Sequence, residues 1–193
     1  MKNKKTFFII ALVFVLLIGG ATVLYRQLGK NIAAEQLATQ STNQSDESAA
    51  GETEQKIKAP DFTVYDADGN EVHLADYIGK PIVLNFWASW CGPCQSEMPD
   101  FHEKYLELGD DVHFLMIKMT DGARETVESA SAFIAKNGYA FPVFYDTKSD
   151  AASIYGAYSL PTTFFIDADG YAIAQATGAI DAETLQRGLD MIK

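Results

Sequence analysis

The chain has 193 residues, with 26 Asp and Glu against 15 Lys and Arg, a formal net charge of −11. Five of the basic residues lie in the first 30 positions, where there is no acid, so from Asn31 onward 10 basic residues stand against 26 acidic ones and the net is −16. A surface this acidic argues against nucleic acid and anionic lipid as partners of the body of the chain, and the 137 residues from Ile57 onward suffice for one core but not two domains of usual size.

Lys2, Lys4 and Lys5 precede an uncharged run over residues 6–25, and Arg26 and Lys30 follow it. About 20 apolar residues span a bilayer. The larger positive charge before the run favours a cytoplasmic N-terminus and an extracytoplasmic remainder. Gly19-Gly20-Ala21 resembles a signal-peptide cleavage site, but the apolar run continues through Val23 and Leu24. Residues 1–30 are therefore expected to form an uncleaved transmembrane anchor, and cleavage would leave the chain in the same compartment. No cysteine follows the run, which excludes a lipoprotein anchor. Residues 31–56 are rich in Ser, Thr, Gln, Ala and Glu and poor in large apolar side chains, so they read as a flexible linker. About 25 such residues reach roughly 25 to 30 Å.

The domain is expected over residues 57–193. Residues 62–65 and 71–74 flank Asp66-Ala67-Asp68-Gly69-Asn70, a hairpin turn by composition, and the same Asp-Ala-Asp-Gly recurs at 167–170 between 164–166 and 171–174. Calcium is the rival reading of that repeat, but the later oxygen ligands of an EF-hand loop are missing. Residues 81–86 form a near-continuous apolar run, interrupted at Asn85 and bounded by Gly79-Lys80-Pro81, as in a strand buried on both faces. After it come Trp90-Cys91-Gly92-Pro93-Cys94, then Met98, Phe101, Tyr105 and Leu108 at helical spacing. Residues 112–119 read as a buried strand, 124–137 as a helix, 141–145 as a short strand, and 151–155 and 181–192 as helices, the last with Asp181 as N-cap. Strand, helix, strand, helix, strand, helix, hairpin, helix gives an α/β fold with a mixed central sheet flanked by helices.

The only two cysteines are Cys91 and Cys94. Pro93 suits a first helical turn, which puts Cys91 at a helix N-terminus, where free N–H groups and the macrodipole favour a thiolate. Lowering a thiol pKa from about 8.5 to about 7 raises the thiolate fraction at neutral pH from roughly 3% to roughly half. Cys91 is thereby the nucleophile and Cys94 the inward-facing resolving thiol. A structural zinc site would need four ligands, and His73, His102 and His113 are scattered; haem attachment would need His where Gln95 stands. A purely structural disulfide closing so short a loop removes little unfolded-chain entropy.

Trp90-Cys91-Gly92-Pro93-Cys94 resembles the thioredoxin active site, and Ser159-Leu160-Pro161-Thr162-Thr163-Phe164 resembles the cis-proline loop of that fold. Together they are most similar to the membrane-anchored TlpA/ResA-like thiol-disulfide oxidoreductases. The resemblance implies a thioredoxin-like domain with an N-terminal β-hairpin and an inserted helix-strand segment around 124–145. It implies a cis peptide before Pro161, and substrate contacts from Trp90, Pro93, Leu160, Pro161 and Thr162. Asn85 stands where cytosolic thioredoxins carry a buried Asp, and Glu97 matches an acid that the ResA-like group keeps near its cysteines. Glu97 is thus the candidate proton carrier, the alternative being a solvated first-turn residue favoured by the dipole. The Gly-Pro centre resembles reducing members. The implied partners are disulfide-bearing proteins, such as apocytochrome c, a secreted methionine sulfoxide reductase or an envelope or spore-coat enzyme. A membrane electron donor of the CcdA or DsbD kind is implied as well, since no cofactor motif for regenerating electrons is present. An extracytoplasmic oxidant or isomerase, and a tethered binding module without turnover, are the alternatives.

Overall fold

The computed structural model describes residues 14, 16, 18–20, 37–39, 56–120 and 125–193. The chain divides into two units, Met1–Glu35 and Gln36–Lys193. In the first, residues 14, 16 and 18–20 are helical. The rest of the expected anchor lies outside the described residues, and among those described no helix is long and apolar enough to cross a membrane.

The second unit is built on β5 (Ile82–Trp87), whose six residues are all buried. It pairs in parallel with β6 (His113–Met119) and antiparallel with β8 (Thr162–Ile166). Outward from β6 lie β7 (Val143–Asp146), β3 (Thr63–Tyr65) and β4 (Glu71–His73); outward from β8 lies β9 (Tyr171–Thr177), whose far edge carries both β1 (Leu37–Thr39) and β2 (Ile57–Lys58). The sheet is mixed, as the element order predicted.

Both expected hairpins form, and the repeated turn works identically in each. The amides of Asp66 and Asp167 donate to the carbonyls of Asn70 and Tyr171. The Asp66 and Asp167 carboxylates accept from the amides of those same residues, each at 2.9 Å. Gly69 and Gly170 both adopt φ +83°, open to glycine at little strain. The Asp oxygens thus serve turn chemistry. The first hairpin ends one residue earlier than expected, because the Asp76 carboxylate accepts from the His73 amide and Leu74–Tyr77 continue as a 3-10 turn.

Period-two alternation divides the core. Val83 and Trp87 of β5, with Phe114 and Met116 of β6 and Phe165 of β8, join one cluster; Ile82, Leu84, Phe86, Leu115, Ile117, Phe164 and Ile166 join the other. Helices α1 (Gly92–Leu108) and α4 (Ala182–Ile192) bury Met98, Phe101, Leu185 and Leu189 on the first cluster. Gly188 lets α4 approach β8, since a Cβ there would lie 2.2 Å from the Phe165 ring. Helix α2 (Val127–Asn137) starts later than residue 124, at a capping box of Thr126 and Ser129, and stops at Gly138 with φ +69°. The short α3 (Asp150–Tyr155) covers the second cluster through Ala151.

Strand β1 falls inside the stretch read as linker. Thr39 lies opposite Ala174 and Ile57 opposite Ala172. Thr39 and Ile57 thus face positions two residues apart along β9, and residues 40–55 of the expected linker lie outside those described.

Candidate active site

Strand β5 ends at Trp87, and the connection through Ala88, Ser89 and Trp90 delivers Cys91 to the start of α1. Cys91 is its N-cap residue, with the Sγ accepting from the Cys94 amide at 3.2 Å, and the two cysteines are joined as a disulfide. Cys94 is fully buried, whereas Cys91 lines a cleft of about 670 Å³. Trp90, Gly92, Pro93 and Leu160 line the same cleft. Trp90 is 53% exposed, an apolar surface next to Cys91. The Leu160–Pro161 peptide is cis.

Two of the residues expected to meet substrate do not line the cleft. Pro161 is buried, and Thr162 is 2% exposed. The Thr162 hydroxyl donates to the Ser159 carbonyl at 2.6 Å, and its backbone pairs with Phe86 and Thr177. Both belong to the loop's framework, and Leu160 is the loop residue that reaches the cleft. Ser159 of the same loop lines it too, and sequence reasoning missed Met119, Thr120, Glu125, Ser149, Ala157 and Tyr158, which also line it. Only Tyr158, three residues before Pro161, carried a positional signal.

Glu97 is no solvated helix residue: it is 2% exposed. One carboxylate oxygen accepts from Asn85 Nδ2 at 2.9 Å and the other from the Ile180 amide at 3.0 Å. Asn85 Nδ2 also donates to Thr163 Oγ1 at 3.0 Å, directly across the β5–β8 pair. Burial raises the Glu97 pKa to about 7, against the lowering effect of the two hydrogen bonds. The acid that Asn85 cannot supply from the central strand is thus held against it from α1, three residues along the helix from Cys94, titrating near neutrality. Among the described residues, Asn85 Oδ1 and Trp87 Nε1 find no hydrogen-bond partner, and both are buried.

Comparison with known proteins fits this geometry. The AhpC/TSA family matches residues 56–174. The chain is 36% identical over 136 residues to the thiol-disulfide oxidoreductase ResA of Geobacillus thermodenitrificans, covering 70% of this chain and 76% of that one. It is 33% identical over 138 residues to ResA of Bacillus subtilis, covering 70% and 74%. Among solved structures, a putative thiol:disulfide interchange protein DsbE from Chlorobium tepidum superposes with a TM-score of 0.63 at 29% identity, over 72% of this chain and 97% of that one. StoA from Bacillus subtilis superposes at 0.58 and 25%, over 67% and 96%.

Proposed function

Given that this chain belongs to the AhpC/TSA family and is a thiol-disulfide oxidoreductase of the ResA-like kind, we propose that it reduces protein disulfides outside the cytoplasm, held at the membrane by residues 1–30. The observation that carries the chemistry is Cys91 as helix cap, its sulfur at the cleft and within reach of the Cys94 amide. In the reduced pair that amide and the helix dipole favour the Cys91 thiolate.

The thiolate attacks one sulfur of a substrate disulfide. A Cys91–substrate bond forms and the second substrate sulfur leaves as a thiolate. Cys94 loses its proton and attacks Cys91 Sγ, closing the intramolecular disulfide and releasing the first substrate sulfur. Two electrons pass to substrate, whose thiolates take up the protons given up by the cysteine pair. Glu97 is the group we assign to move the Cys94 proton, because it is buried three residues away on the same helix and titrates near 7. The substrate chain lies across Trp90, Pro93 and Leu160, with Pro161 and Thr162 shaping the loop from behind. Renewed reduction requires two electrons from a membrane donor of the CcdA or DsbD kind. Apocytochrome c, a methionine sulfoxide reductase or an envelope-assembly enzyme are the substrates this reading favours.

Trapping tests the whole reading. Cys94→Ala expressed as the full chain should accumulate mixed disulfides through Cys91 with proteins bearing export signals, while Cys91→Ala should accumulate at least about tenfold fewer. Capture of cytoplasmic proteins would overturn the location. Equal trapping by the two variants would overturn the assignment of roles. A trapped population restricted to proteins en route to oxidation would reverse the direction.

A further inference from the structure

Lys118 and Glu125 form an ion pair of 2.9 Å with side chains 0% and 1% exposed. Burying two charges gains little over an apolar pair of the same volume, whereas leaving one without the other costs several kcal/mol. The contacts of this pair point to a different use. Glu125 Oε1 accepts from the Ser89 amide at 2.7 Å and Oε2 from the Ser89 hydroxyl at 2.8 Å. The Ser89 carbonyl accepts in turn from Gln95 Nε2 on α1. All three polar groups of Ser89 are therefore bound, two residues before Cys91, and the Cys91 amide closes the turn onto the Ala88 carbonyl at 3.2 Å. Lys118 enters opposite Trp87, the last residue of β5, and also donates to the backbone carbonyl of Thr126, the residue whose side chain caps α2. Glu125 itself lines the cleft with Trp90 and Cys91.

We propose that Lys118 and Glu125 are positioning residues for the attacking cysteine: Glu125 clamps the Ala88–Cys91 turn through Ser89, and Lys118 cancels the charge that this clamp would otherwise set beside the Cys91 thiolate. The inference rests on Cys91 being the attacking sulfur. Among the described residues, Glu125 after β6 and Tyr158 on the cis-proline loop line the cleft with Cys91, Cys94 on α1 is bonded to it, and behind these lie Lys118 of β6, paired with Glu125, and Glu97 of α1, held by Asn85 and Ile180. An unpaired Glu125 carboxylate would oppose ionisation of Cys91 and an unpaired Lys118 would promote it. Together they leave the helix start in control.

The test is the pH profile of alkylation of the reduced full-length chain by iodoacetamide, with the modified residue located by mass spectrometry, in Lys118→Met, Glu125→Leu and the double variant. Lys118→Met should raise the Cys91 midpoint by about one pH unit, roughly tenfold less thiolate below it, and Glu125→Leu should lower it by a similar amount. The double variant should return to within about 0.3 of a unit of wild type, yet reduce insulin about tenfold more slowly, because the turn is no longer held. Shifts of the same sign in both single variants, or none, overturn the charge argument. If either single variant does not fold, the double variant decides: wild-type insulin reduction would overturn the clamp. Alkylation of Cys94 before Cys91 would instead overturn the assignment of the nucleophile, which the mass spectra distinguish.

Discussion

On the face of the sheet away from α1, the second cluster is an apolar layer in which the rings of Phe86, Tyr155 and Phe164 meet at 4.9 to 6.2 Å between centroids. Its buried carboxylate, Asp146, accepts from the amides of Asp150 and Ala152, both at 2.8 Å, and so holds the start of α3. The face beneath α1 buries Asn85, Glu97, Lys118, Glu125 and Thr163 as well, and these side chains contact one another and the backbone around the cysteine motif. Two atoms there, the acceptor Asn85 Oδ1 and the donor Trp87 Nε1, find no partner among the described residues, and an unmet buried group of this kind costs about 1 to 3 kcal/mol. The same backbone ladder thus carries one face optimised for cohesion and one in which cohesion is given up for groups that hold protons and charges near a sulfur.

The largest effect should come from the apolar face. Phe86→Ala removes a fully buried ring and should destabilise the domain by about 3 to 5 kcal/mol in urea unfolding, while leaving the pH profile of Cys91 alkylation in place. A profile that moved with stability would break the division between the faces.

Glu97 gives the next largest. Burial lifts its folded pKa to about 7 from the ordinary carboxylate value of 4.5, so the folded protein keeps a proton that the unfolded chain releases between those values. Its contribution is complete below about pH 4.5 and lost as pH rises through 7, a fall of about 3 kcal/mol by pH 8. Denaturant unfolding of the oxidised chain from pH 5 to 8 should show this slope, and Glu97→Gln should flatten it and also alter the pH dependence of disulfide exchange. A slope identical in the variant would mean that the carboxyl ionises freely.

The smallest sits one residue from the Glu97 contact. Asp181 caps α4 by accepting from the Thr184 amide at 2.9 Å, and hydrogen bonding to Thr184 holds its carboxyl below the usual range. That stabilisation is present above the unfolded pKa and lost as pH falls through the folded one, opposite in sign to Glu97. Asp181→Ala should cost about 1 kcal/mol at pH 7, with a difference that vanishes in acid unfolding and no change in the slope near neutrality.

The parts that were legible in the sequence are those governed by local rules: the two Asp-Gly turns, the buried run of β5, the caps at Asp181 and Cys91, and a cysteine pair whose spacing admits few chemistries. Glu97 was legible as a position but not as an environment, because its burial depends on Ile180 arriving from 83 residues away. Lys118 was absorbed into a buried strand, and nothing in its neighbourhood announces that Glu125, across a strand-to-helix connection, neutralises it. Strand β1 was illegible for a different reason: Leu37-Ala38-Thr39 has no strand pattern of its own and pairs because β9 offers an edge.

That edge has a practical meaning. Strand β2 covers β9 at Tyr171 and Ala172, and β1 covers it at Ala174, Gln175 and Ala176. An uncovered strand edge is a template on which a second chain can add, and the usual remedies are charge, proline or a covering segment. Ala174, Gln175 and Ala176 offer neither charge nor proline, so for this stretch the covering segment is the remedy. A domain trimmed at residue 56, where the family match begins, would lose β1 and keep β2, leaving half of β9 bare. Self-association in such a preparation would belong to the cut and not to the protein.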